Sequence, residues 1–279
     1  METVAFFGAG MLGSGFVEAL RRRNVNVHVW NRTFEKAQAL ERFGARAFRS
    51  PADAARGVDR VHICLRDDAA VDGVLDSALS GIAAGTPVID HTTVLPRGVA
   101  QRERRLAQHG LPFLHAPVFM GPPNAAASTG LMLASGDRQR YERLRPALEP
   151  MTGKVWYVGE PVERAAVYKL MGNAMILAIV GGLNDTFTIA EQHGLSRTEA
   201  YELFSHFNPA AQIEGRGKRM AAQDYEPTWT LEMADKDARL MLQSVDGSRV
   251  PVIAAIETEL DAAMQRGLSA KDLAAIAAR

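Results

Sequence analysis

The chain has a single cysteine, Cys64. No disulfide can form within it, which suits a reducing cytoplasm. Cys64 sits in an apolar, strand-like run and reads as a small buried residue rather than a nucleophile. Net charge is missing as well, because 32 Lys and Arg stand against 32 Asp and Glu. Without a basic or acidic excess there is no electrostatic case for nucleic acid or an anionic membrane surface as partner. Long apolar runs are also lacking. The longest, Met175 to Gly182, is too short to cross a bilayer, so no membrane span is expected. The chain opens directly into strand-like residues, which argues against a signal peptide. No repeat and no low-complexity tract is visible.

What is present starts at once. The apolar run Thr3-Val4-Ala5-Phe6-Phe7 leads into Gly8-Ala9-Gly10-Met11-Leu12-Gly13. This is strand, G-x-G-x-x-G, then helix. Gly8 lets the chain turn tightly, Gly10 lets a pyrophosphate approach the backbone, and Gly13 lets the helix pack close to the sheet. The helix N-terminus adds unpaired N–H groups and a positive dipole end. The spacing and its place after a strand predict a dinucleotide site, with a structural turn or a methyltransferase loop as the alternatives.

A further absence selects the nucleotide. Strand two, Val25 to Trp30, ends in Asn31-Arg32-Thr33, with no acid to bind a ribose 2′-OH. Arg32 offers a planar fork of donors suited to phosphate, and Thr33 adds a hydroxyl. NADP(H) is therefore expected over NAD(H). The plainer readings are a surface arginine near a turn and a threonine that caps the next helix.

Strands and helices alternate through the first half. Helices are expected from Phe34 to Phe43, from Ser50-Pro51, from Asp68 to Ser80 and from Pro96 to His109. Strands are expected at Arg60–Leu65, Thr86–Asp90, Pro112–His115, Leu131–Ala134 and Val155–Val158. This order implies an α/β fold, a Rossmann-type doubly wound parallel sheet. Near Gly159-Glu160-Pro161 the character changes. A long helix from Arg164 to His193 leads into an all-helical second part, with irregular chain from Asn208 to Glu226. Helices then follow at about Leu231–Asp246, Val250–Gln265 and Ser269–Ala278. The expected domains are 1–160, which binds nucleotide, and 161–279, joined through helix 164–193.

A nicotinamide enzyme needs one group to move a proton. Lys169 and Asn173 lie four apart on the long helix and share a face. Apolar neighbours would lower the lysine pKa and suit it to acid–base work. On pattern alone, a snorkelling surface lysine is the simpler reading.

Four blocks, taken in order, change that balance. They are Gly8 to Gly13, Asp90-His91-Thr92-Thr93-Val94-Leu95-Pro96, Ala116-Pro117-Val118 through Gly121 to Gly136, and Lys169 to Asn173, followed by Lys236-Asp237. Together they resemble the β-hydroxyacid dehydrogenase family, over essentially the whole chain. That family includes 3-hydroxyisobutyrate dehydrogenase and glyoxylate/succinic semialdehyde reductases. The resemblance implies Lys169 as general acid/base, oriented by Asn173. It implies cofactor contacts from Thr93, the Leu65-Arg66 turn and Lys236. Thr92, Phe119, Met120 and Gly121 would face the substrate. His91 and His115 read as structural.

The match departs from the family pattern twice. Phe119-Met120 stands where the family has Ser-Gly, and Gly172 stands where it has Asn. The first change implies a less polar substrate, or one whose acid group is held otherwise, and the second removes one amide from the site while Asn173 remains. The expected activity is NADP(H)-dependent reduction of a small aldehyde or keto acid, or the reverse oxidation of a β-hydroxy acid. The alternatives are an imine reductase of the same fold and a non-catalytic NADP-binding protein. The long apolar helix predicts a homodimer or homotetramer.

Overall fold

A computed structural model describes residues 2–278. Its strands are β1 Thr3–Phe7, β2 Asn26–Trp30, β3 Arg46–Phe48, β4 Arg60–Ile63, β5 Val88–Asp90, β6 Phe113–His115, β7 Val118–Phe119, β8 Leu131–Ser135 and β9 Lys154–Gly159. The helices of the first half are α1 Met11–Arg22, α2 Phe34–Gln38, α3 Pro51–Ala55, α4 Asp68–Ala78, α5 Pro96–Gln108, α6 Pro122–Ala127 and α7 Arg138–Leu148. Then follow α8 Arg164–Gln192, α9 Arg197–His206, α10 Ala211–Ala222, α11 Leu231–Ser244 and α12 Pro251–Ala263. The chain divides into two compact units, with the division inside α8 between Asn173 and Ala174.

In the first unit the strands run in the order β3-β2-β1-β4-β5-β6-β8-β7, and β9 pairs with β8. The order reverses beside β1. A crevice opens at such a reversal, at the carboxyl ends of the strands. One apolar layer, with Phe6, Phe16, Leu20 and Val29, covers one face of the sheet. Another, with Phe7, Val61, Ile63 and Leu75, covers the other face. β1, β5 and β6 are buried along nearly their whole length, as strands covered on both faces are, whereas β2 alternates buried and half-buried residues.

The sheet is not wholly parallel, which corrects the sequence expectation. β8 runs antiparallel to both β6 and β7. Only two residues, Ala116 and Pro117, separate β6 from β7, and the chain turns back through the short α6 into β8. A parallel return needs a crossover of a dozen residues or more.

Beneath the carboxyl ends of the strands lies a buried polar network. Arg60 Nε donates to His62 Nε2 at 2.8 Å. Arginine can only donate, so the His62 proton is on Nδ1. That N–H donates to His91 Nε2 at 2.9 Å, and His91 Nδ1–H donates to the Ala116 carbonyl at 2.7 Å. Burial holds His62 well below its ordinary pKa, His91 at about 4 and His115 at about 3. The three rings are therefore neutral. Arg102, wholly buried, is ringed by Asp72 at 2.9 Å, Asp68 at 3.1 Å and Asp90 at 3.5 Å. It ties α4, α5 and β5 together.

The second unit is all-helical, with a small core of Leu231, Ala234, Ala238, Leu260, Ala263 and Ala275. Asp185 of α8 is buried, and its Oδ2 accepts from the Val252 and Ile253 N–H groups at 2.9 Å each, capping α12. Asp272 accepts from the N–H groups of Ala274, Thr228 and Trp229. These bonds outweigh the desolvation of the carboxyl and hold its pKa well below the usual range.

Two local expectations fail here. The stretch Asn208–Glu226 contains a regular helix, α10, supported by the four-apart pairs Glu214–Lys218 and Gln212–Arg216. The terminal segment forms only a 3₁₀ turn, Leu273–Ala277, because Asp272 at its start is committed to Thr228 and Trp229. The long helix behaves as expected and ends before Gly194, whose φ is 79°. Its exposure adds something new. Almost none of its most apolar stretch is buried, and by length and composition alone it could cross a membrane. The uninterrupted run was a poor measure of this, since single polar residues divide a helix that is apolar all round.

Candidate active site

The glycine loop has the shape its spacing implies. Gly8 has φ 116°, and a Cβ on it would lie 2.1 Å from the Cys64 carbonyl oxygen. A Cβ on Gly13 would lie 2.1 Å from the Gly8 carbonyl oxygen. Both positions need glycine because backbone approaches backbone there. Gly10 differs, since nothing lies within 4 Å of where its Cβ would be. It is the N-cap of α1 and makes no side-chain cap, so the first N–H groups of the helix open onto free space. Ala9, Met11 and Leu12 complete the loop, with Met11 81% exposed. This cradle fits a pyrophosphate.

Asn31 has a structural part in the site. Its Oδ1 accepts from Ala9 N at 3.1 Å and its Nδ2 donates to the Thr33 carbonyl at 2.9 Å. It clamps the glycine loop to the end of β2. Thr33 is the N-cap of α2 but its side chain makes no cap bond. Arg32 is exposed and makes no hydrogen bond or ion pair among the described residues. A cavity of about 290 Å³ opens beside the loop, lined by Gly10, Met11, Ser14, Lys36 and Arg42 among others. Lys36 was missed in the sequence, although it lies only three residues after Thr33, one helical turn into α2.

On the next strands, Leu65 N donates to Thr92 Oγ1 at 3.0 Å, and Thr92 N donates to Asp90 Oδ1 at 2.9 Å. Thr92 is buried. Its hydroxyl thus brackets the Leu65-Arg66 turn instead of facing a substrate, whereas Thr93 is half-buried with its hydroxyl unbonded among the described residues. Burial pushes Asp90 up to about 6 and Cys64 up to about 12, so the thiol is inert. Arg66 pairs with its neighbour Asp67 at 2.8 Å. Gly121 donates its N–H to Asn124 Oδ1 at 3.0 Å. That amide is spent on starting α6. Met120 packs against Gly130.

Lys169 is only 9% exposed, and desolvation by burial lowers its pKa. Its Nζ stands 4.1 Å from the centroid of the Phe119 ring. No hydrogen bond or ion pair engages it among the described residues. Asn173 is half-buried one turn further on, its amide unengaged among the described residues. Phe119, the first departure from the family pattern, lies against Gly172, the second: a Cβ at 172 would be 2.3 Å from Phe119 Cζ. The two changes are one packing event. Lys236 is on α11 in the second unit, with Nζ 2.9 Å from Asp237 Oδ1.

Residues 3–159 match the family model of the NAD binding domain of 6-phosphogluconate dehydrogenase. The chain is 28% identical over 281 residues to glyoxylate/succinic semialdehyde reductase 1 of Arabidopsis thaliana, covering 98% of this chain and 96% of that one. Among solved structures, the imine reductase of Myxococcus stipitatus in complex with NADP+ superposes with TM-score 0.92 at 21% identity, over 98% of both chains. An imine reductase of Streptomyces aurantiacus gives TM-score 0.90 at 25% identity, over 99% of this chain and 98% of that one.

Proposed function

Since the chain belongs to the β-hydroxyacid dehydrogenase family of NAD(P)-dependent oxidoreductases, we propose that it reduces a small carbonyl compound with NADPH, using Lys169 as proton donor. The observation that carries this reading is the largely buried Lys169 side chain on α8, whose ammonium makes no hydrogen bond among the described residues. A lysine so placed keeps its N–H groups available. Its lowered pKa brings it closer to neutrality, where proton transfer is efficient.

The bound nicotinamide supplies the hydride. The chain does the rest. Gly8 to Gly13 and the N-terminus of α1 hold the pyrophosphate. Arg32, the Thr33 hydroxyl and Lys36 suit a 2′-phosphate, which supports NADP(H) over NAD(H). Lys169 gives its proton to the carbonyl oxygen and takes it back in the oxidative direction, with Asn173 orienting substrate or amine. Thr93, Leu65, Arg66 and Lys236 remain the cofactor contacts the family pattern suggests. Phe119 and Met120 give the pocket apolar walls. They favour an aldehyde or keto acid with a hydrocarbon flank over a compact hydroxy acid.

An imine substrate is the second reading, because the solved structures of this fold include imine reductases at 25% identity. We also infer assembly as a homodimer or homotetramer, in the cytoplasm. Met171, Met175, Ile176, Leu177, Ile179 and Val180 are all exposed on α8, a larger apolar surface than a lone subunit tolerates.

NADPH consumption against semialdehydes, keto acids and cyclic imines tests the reading. Carbonyl turnover should fall about 10²–10⁴-fold in Lys169→Ala. Turnover of imines alone would select the second reading, and cofactor binding without turnover would leave a nucleotide-binding protein.

A further inference from the structure

Gly172 and Phe119 meet where a side chain at 172 would be. A Cβ built on Gly172 lies 2.3 Å from Phe119 Cζ and 2.6 Å from Cε1. No two carbons pack so closely, so the ring occupies the volume that a side chain at 172 would fill. The same ring lies under Lys169 Nζ, 4.1 Å from its centroid. Lys169 and Gly172 are three apart on α8, hence on one face of the helix. The ring itself has little freedom. Phe119 packs against a cluster of Leu133, Val158 and Ala165, alongside Leu131 and Tyr168, and its backbone pairs with Leu131.

We propose that Phe119 and Gly172 are a matched pair that positions the Lys169 amine: the ring lies in the gap left at 172 and offers its face as the seat of the ammonium. The proposal rests on Lys169 being the proton donor. A flexible four-carbon stem needs a seat to deliver a proton to one point. A carboxylate would supply one by binding an N–H, and so would compete for the proton. An aromatic face attracts the cation and accepts no proton, so the N–H groups stay free for the substrate. Phe119 is thus a positioning residue.

The test compares Gly172→Ala, Phe119→Leu and the double variant, with Lys169→Ala as control. Gly172→Ala gains helix propensity, but its methyl overlaps a ring with little freedom, so its folding is checked by urea melts before its kinetics are read. Its methyl displaces the ring, and kcat should drop about 100-fold with KM for NADPH unchanged. Phe119→Leu keeps the apolar bulk but removes the ring face. The basic limb of kcat should then move to lower pH by roughly half to one unit, because the ammonium loses its cation–π partner. In the double variant the methyl added at position 172 finds room, so Gly172→Ala should cost under about twofold beyond Phe119→Leu alone. The unliganded protein gives an independent readout. With ¹³Cε-lysine, the Lys169 methylene protons should lie upfield of those of Lys36, Lys154, Lys218, Lys236 and Lys271, and should lose that offset in both single variants.

Additive losses in the double variant, or a Lys169 resonance without the ring-current offset, would overturn the pairing. If Lys169→Ala is inactive while Phe119→Leu and Gly172→Ala match the parent, the pairing alone fails. If Lys169→Ala keeps full turnover, the proton-donor reading fails and the positioning role goes with it.

Discussion

In the first unit Arg102 lies wholly buried among Asp68, Asp72 and Asp90. In the second, Leu177 is 71% exposed on α8, with Val180 exposed nearby. One unit buries a cation among carboxylates, and the other leaves oil in the open. The first can do so because its sheet is covered on both faces and its buried Arg60, His62, His91 and Arg102 are matched to carboxylate, carbonyl or ring nitrogen. The second has a core built largely of alanines, and much of its apolar surface has no cover from its own residues. The nucleotide-binding unit covers its apolar layers with its own residues, whereas the helical unit leaves apolar surface in the open, and that is the ground for proposing it as half an interface.

The comparison can be broken most sharply at Arg102. Arg102→Met leaves three carboxylates around an apolar side chain. The first unit should lose about 3–5 kcal/mol of stability, read from urea midpoints, because the wholly buried Asp90 is left without its cation while Asp68 and Asp72 reach solvent. A loss below about 1 kcal/mol would mean that the cluster is not integral to the unit.

Acid should separate the units next. His62, His91 and His115 have folded pKa values below their unfolded ones, so the unfolded chain binds more protons. Their stabilisation is complete above about pH 6.5 and is lost as pH falls toward 4, by about 1.4 kcal/mol per histidine per pH unit. Asp90 runs the other way. Its pKa is raised to about 6, so its contribution grows as pH drops below that value and offsets one histidine. Urea melts at pH 7.5 and pH 5, followed in a variant that keeps only Trp30 and Trp156 for the first unit and in one that keeps only Trp229 for the second, should show the first unit alone weakening. Equal losses in both would count against the network.

A smaller effect sharpens the contrast between cradle and clamp. Arg32→Ala should raise KM for NADPH by about 10- to 150-fold, the cost of one charged phosphate contact at about 1.5–3 kcal/mol, and barely move KM for NADH. Equal changes for both nucleotides would remove Arg32 from the 2′-phosphate. Smallest is the effect on assembly. Leu177→Arg places charge on the bare helix face and should weaken self-association by about tenfold or more, seen by sedimentation velocity. A parent protein that sediments as a monomer at micromolar concentration would refute the half-interface reading outright.

Much of the site was legible in the residues. Gly8, Gly10 and Gly13 could be read because each answers a different steric demand, and the missing acid after Trp30 could be read because the alternation of β2 ends at that residue. Lys36 was not, because a lysine in a polar helix looks like solvated surface until the cavity beside Gly10 is seen. Thr92 and Thr93 look alike in sequence, and only the hydrogen bond to Leu65 separates the buried bracket from its neighbour. The helix α10 was hidden by glycines, whose cost is offset by pairs four residues apart.

By itself the sequence determined the alternation of strand and helix, the nucleotide cradle and the long helix that carries Lys169. These are set by local periodicity and by steric rules acting within a few residues. Only the tertiary structure decided that β8 turns antiparallel, that His62 and His91 share one proton-donor direction, and that Phe119 lies in the space left by Gly172. Those outcomes depend on which distant residues are brought within a few ångströms of each other, and spacing along a chain does not encode that distance.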